Sequence, residues 1–77
     1  MTSYDYQIYR SGVISLDLYN VVGQHIRTLA SGFSAEGRHT AAWNGIDTSG
    51  NVVTSGLYIV HLRDGSQTVT HSILLMK

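Results

Sequence analysis

The chain has 77 residues, room for one small domain, since a chain of this size buries only about 60% of the surface its unfolded state exposes. Hydrophobic residues make up 43% and charged residues 13%, with a formal net charge of +0; this excludes a disordered charged tail and a strong nucleic-acid footprint. With no cysteine there is no disulfide, no thiolate nucleophile and no thiolate metal site.

Glycine supplies 8 residues and proline 0, so turns must rest on Gly, Asn and Asp, which reach positive φ at low cost. These residues cut the chain into short segments at the spacing of a sandwich or barrel. In the first segment Tyr4, Tyr6 and Ile8 alternate with Asp5 and Gln7, and in the second Ile14, Leu16 and Leu18 alternate with Ser15 and Asp17. Each predicts a strand with one apolar face. Over residues 24–30, Ile26 and Leu29 stand three apart, which breaks the alternation and predicts a bulge or a twisted strand end. Over residues 38–43, His39, Ala41 and Trp43 share a face, with Trp43 the largest single candidate for the core.

Residues 57–62 are apolar at nearly every position, as in a central strand covered on both sides or one near a sheet edge. Asp64-Gly65-Ser66 then predicts a hairpin turn into a last strand over residues 67–76, antiparallel to the one before it. About seven strand-like segments joined by short loops give an all-β fold, a small antiparallel two-sheet sandwich. The start of the chain has no basic residue followed by an apolar run, and the longest apolar stretch, Ile73-Leu74-Leu75-Met76, falls far short of the roughly 20 residues that cross a bilayer. No signal peptide and no membrane insertion are expected of residues 1–77, read as a single domain. A role outside the cytoplasm would require a longer precursor with its export signal upstream.

The search for chemistry favours structural readings. His25, His39, His61 and His71 lie on four segments without a short ligand spacing, although the hairpin brings His61 and His71 within a residue or two of facing each other. Ordinary strand histidines are the favoured reading, and no metal site is assigned. The acids Asp5, Asp17, Glu36, Asp47 and Asp64 form no catalytic pair; Asp47 and Asp64 belong to turns, and Asp5 and Asp17 to solvent-facing strand positions. No nucleophile elbow, phosphate loop or dinucleotide fingerprint occurs, so the chain is not read as an enzyme and no catalytic residue or cofactor is assigned.

Asp47-Thr48-Ser49-Gly50-Asn51 has the oxygens of a calcium loop, but with one carboxylate and no later bidentate glutamate an Asx-type turn is favoured. Arg10, Arg27, Arg38, Arg63 and Lys77 are scattered, which argues against nucleic acid as a partner. Five tyrosines and Trp43 keep a carbohydrate-binding reading open, against core packing for Tyr4, Tyr6, Tyr19 and Tyr58.

Taken in order, several motifs form a pattern. Val13-Ile14-Ser15-Leu16-Asp17-Leu18-Tyr19-Asn20, then Gly23-Gln24 and Ile26-Arg27-Thr28-Leu29, resembles the opening of bacterial immunoglobulin-like domains related to the C-terminal domain of the flagellar hook-capping protein. Glu36-Gly37-Arg38-His39-Thr40 with Trp43-Asn44-Gly45 and Asp47 is similar to that family's centre, and Ser49-Gly50-Asn51-Val52-Val53 with Ser55-Gly56-Leu57-Tyr58 to its following segment. Ile73-Leu74-Leu75-Met76-Lys77 looks like its closing strand.

The resemblance implies an immunoglobulin-like fold in which Tyr19, Gly23, Trp43, Gly45, Gly50, Gly56 and Tyr58 are fold-making residues. Gly23, Gly45 and Gly50 are expected to permit turns, and Gly56 to let the backbone approach Trp43 closely. It further implies a C-terminal module of a larger exported bacterial protein, extracellular or at the cell surface, without a reaction of its own. Similar domains serve as sorting signals of the type IX secretion system or anchor cargo at the surface, while hook-capping relatives are structural modules. The implied partners are proteins: secretion machinery, neighbouring domains of the parent chain, or a second copy through an edge strand. Ile73, Leu74, Leu75, Met76 and Lys77 are the expected recognition segment.

Overall fold

The computed structural model describes residues 2–65 and 67–76. The described residues form six strands: β1 (Thr2–Ile8), β2 (Gly12–Asn20), β3 (His25–Ser34), β4 (Gly37–Trp43), β5 (Gly56–Asp64) and β6 (Gln67–Leu75). They make two antiparallel sheets, β1-β4 and β3-β2-β5-β6. About seven strands were expected, a minor difference; residues 44–55 contribute an isolated bridge between Ile46 and Val52 and no ladder.

The core follows from period-two alternation. Ile14, Leu16 and Leu18 of β2 point inward beside Tyr58, Val60 and Leu62 of β5, in a register that sets Leu16 opposite Leu62 and Leu18 opposite Val60. Ala41 and Trp43 of β4 and Ile8 of β1 close over them from the small sheet. Full burial of each large apolar side chain stabilises the fold by about 1.5–3 kcal/mol relative to exposure, offset by the entropy of ordering the chain. β5 is central in its sheet but covered on one face; Leu57 on its other face is 50% exposed.

The break in alternation at Ile26 and Leu29 is a pair of bulges. Leu16 pairs with Ala30 and Asp17 with Thr28, which skips Leu29; Leu18 pairs with Arg27 and Tyr19 with His25, which skips Ile26. An extra residue on one strand resets which face the following side chain takes. Two such resets let both Ile26 and Leu29 pack against the core.

The two sides of the sandwich are joined unequally. At the β3–β4 side, Thr48 donates to the Ile26 carbonyl from both its backbone N–H (3.0 Å) and its Oγ1 (3.1 Å), and Arg27 Nη1 donates to the carbonyls of Asp47 (3.1 Å) and Ile46 (3.4 Å). At the β1–β6 side, the hydrogen bond between Tyr4 Oη and His71 Nδ1 (3.0 Å) and an edge-on contact of the same rings span the sheets. The core-side row of β6 is accordingly half open: Leu75 is buried and Ile73 packs against the core, but Val69 is 41% exposed and His71 is exposed.

Candidate functional site

Three regions hold the residues singled out from the sequence. One is the end of the sandwich where Thr2 meets Trp43, Asn20 meets Tyr58 and Gly56 meets Leu75. Two loops here repeat one design. Asn20 Oδ1 accepts from the backbone N–H of Val22 and Gln24, and Asp47 Oδ1 accepts from those of Ser49 and Asn51. In both, the fourth residue, Gly23 or Gly50, donates to the carbonyl of the first, and the first donates to that of the fifth. The glycines have φ of 88° and 89°, a conformation that opposes any Cβ. Asp47 is thus the acceptor that closes its loop, in the Asx-type arrangement favoured over a calcium site.

Trp43 and Tyr58 fix this end from within. Their ring centroids lie 4.9 Å apart at 74°, the edge-to-face geometry aromatic pairs prefer. Trp43 Nε1 donates to the Ile46 carbonyl (3.0 Å) and Tyr58 Oη to the Thr54 carbonyl four residues upstream (2.7 Å). This resembles the tyrosine corner of immunoglobulin folds, with the hydroxyl bonded back to nearby backbone. Gly56 differs from its expected role: a Cβ there would meet nothing within 4 Å, so the glycine answers to its φ of 151° and not to a close approach on Trp43. Beside the pair, an open groove of about 650 Å³ is lined by Val21, Val22, Ile26, Val53 and Leu57 among others.

The second region is the outer face of the large sheet, where an unexpected cluster forms. Asp17, expected at a solvent-facing position, has a side chain only 23% exposed and accepts at Oδ1 from Thr28 Oγ1 (2.6 Å) and His25 Nε2 (3.0 Å). His61 is its cross-strand partner on β5, and the Tyr19 ring lies 5.4 Å from His25 and 6.0 Å from His61. Burial pushes the Asp17 carboxyl up, but hydrogen bonds from Thr28 and His25 and the charges of His25 and His61 outweigh it and hold the group below its ordinary value.

A serine-protease-like relay runs from nucleophile to imidazole to carboxylate. Here the Thr28 hydroxyl, though 3.3 Å from His25 Nε2, donates to the carboxylate, and that same nitrogen turns to the carboxylate as well, an arrangement that locks β3 onto β2. The cluster escaped sequence reasoning because two bulges and a strand crossing assemble it. His61 and His71 do not meet: His61 pairs with Thr70, and His71 pairs with Val60, on the opposite face.

The third region is β6. Of the expected recognition residues, Leu75 is 2% exposed and Ile73 is packed against the core, whereas Leu74 and Met76 are 58% and 74% exposed. Lys77 lies outside the described residues. The segment therefore serves the core with alternate side chains and presents the others outward.

Two antiparallel sheets of short strands packed face to face around a buried tryptophan and a tyrosine corner define an immunoglobulin-like sandwich. The chain belongs to the FlgD Ig-like domain family, whose family model matches residues 10–68. The match takes in β2 to β5 and both Asx loops, and ends before Ile73-Leu74-Leu75-Met76. Searches of the curated proteins and of the solved structures gave no match.

Proposed function

We propose that the chain is a non-catalytic structural module that makes protein–protein contacts within an extracellular or cell-surface bacterial assembly. The observation that carries this reading is membership of the FlgD Ig-like domain family across residues 10–68. The polar side chains support it, since Asn20, Asp17 and Asp47 spend their acceptors on loop closure and strand locking. Carbohydrate binding loses Trp43 and Tyr58, which are 2% and 5% exposed and cannot stack on a sugar.

A second reading, type IX sorting followed by surface attachment, draws on the exposed Leu74 and Met76 at the end of β6. One experiment separates the two. Residues 1–77 are fused behind a periplasm-directed fluorescent reporter in a bacterium with type IX secretion, and medium and cell surface are assayed. Retention of the folded fusion in the periplasm is the expected result. Release that disappears when residues 73–77 are removed, with the domain still folded, would overturn the structural reading in favour of sorting.

A further inference from the structure

Strand edges expose unpaired backbone groups, and proteins protect them with charges, proline, bulges or covering loops. Among the described residues, three of the four edge strands are protected. β3 has two bulges, Arg27, and the Thr48 bonds onto the Ile26 carbonyl; β1 carries Asp5 and β4 carries Arg38. β6 differs. Gln67–Leu75 contains no charged residue and no proline, runs against β5 with no register shift, and is exposed at every position from Gln67 to Ser72. Every second residue turns its backbone N–H and C=O away from β5.

We propose that β6 pairs antiparallel with β6 of a second copy of this chain, about a two-fold axis at His71, so that two four-stranded sheets become one. The proposal rests on the reading of the chain as an assembly module, and adds the partner and the register. The strand's own sequence selects the occupant. Pairing about His71 sets Val69 against Ile73 and Thr70 against Ser72 of the other copy, and symmetry makes each contact twice. Val69, 41% exposed on the core-side face, gains an apolar cross-strand neighbour, and Thr70 and Ser72 form a hydroxyl pair on the outer face. An uncharged strand does not repel its own copy and offers a charged partner strand nothing to pair with. A single nine-residue edge is a small contact, so the dimer belongs with interfaces below about 1,200 Å² and dissociates on dilution.

Sedimentation equilibrium of residues 1–77 over a wide concentration range is expected to give a reversible monomer–dimer equilibrium. Thr70→Lys with Ser72→Lys places like charges opposite each other in both symmetric contacts and should weaken the dimer at least about tenfold. Thr70→Lys with Ser72→Glu places opposite charges there and should restore wild-type association. Ser31→Lys on the exposed part of β3 should change nothing. Circular dichroism checks that each variant is folded; if a double variant is not, Thr70→Lys alone should weaken the dimer by a smaller factor. A wild-type chain that stays monomeric throughout, a dimer indifferent to the lysine pair, or one not restored by the Lys/Glu pair overturns the proposal. A folded monomer would leave the assembly reading intact, since the export experiment decides that separately.

Discussion

The Trp43 ring meets the Tyr58 ring edge to face at 4.9 Å, and each ring anchors its polar atom on backbone of the segment that joins β4 to β5. The pair thereby ties the small sheet to the large one and holds the intervening loop against both. Tyr58→Phe keeps the ring contact and removes the bond to the Thr54 carbonyl. A loss of about 1 kcal/mol is expected, read as a melting temperature lower by roughly 4–8 °C for a domain of this size. Trp43→Ala should leave no cooperative thermal transition, because a buried tryptophan truncated to alanine costs about 3–5 kcal/mol, a large part of what a small domain has.

Gly23 and Gly12 make a paired test of backbone against space. A Cβ at either would meet no atom within 4 Å, but Gly23 has φ of 88° and Gly12 has no positive φ. Gly23→Ala should therefore destabilise by about 1 kcal/mol or more, whereas Gly12→Ala should be neutral or slightly stabilising. Urea titration of the two variants checks this; equal effects would mean that the Asx loop does not impose its glycine.

Asp17 predicts a pH dependence. Its carboxyl is held below its ordinary value in the folded chain, so its contribution to stability is present above the unfolded value of about 3.9 and is lost as pH falls through the lower folded value. Asp17→Asn should lower stability near neutrality by on the order of 1 kcal/mol or less, because the carboxylate is partly solvated. The gap between wild type and variant should close on acidification below the folded value. Denaturant midpoints measured across that range test it, and a gap that widened toward acid would reverse the assignment.

The bulges of β3 predict an asymmetry between two neighbouring apolar residues. Leu29 packs on the core from a bulge, and Phe33 on the same strand is 73% exposed. Leu29→Ala should cost about 1–3 kcal/mol, and Phe33→Ala should stay within roughly 0.5 kcal/mol of wild type. Thermal melts of both variants distinguish this from a flat, unbulged β3, in which the two costs would converge.

Local chemistry made much of the fold legible. Alternation of Ile14, Leu16 and Leu18 around Ser15 and Asp17 specified β2 and its buried face, because a strand's side chains change sides at every residue. Asp64-Gly65 announced the β5–β6 hairpin, Asp47 announced its Asx loop, and the lone tryptophan announced a core position. These features are written within a few residues of one another. What required the tertiary structure depends on register between distant strands. Skipping Ile26 and Leu29 sets which residues of β3 face Asp17, and so creates the cluster with His25, Thr28 and His61. Residues 44–55 form an isolated bridge and no ladder, and Thr48 and Arg27 close one side of the sandwich while β6 lies at the sheet edge on the other. Pairing register and edge coverage are non-local, and no short window of sequence carries them.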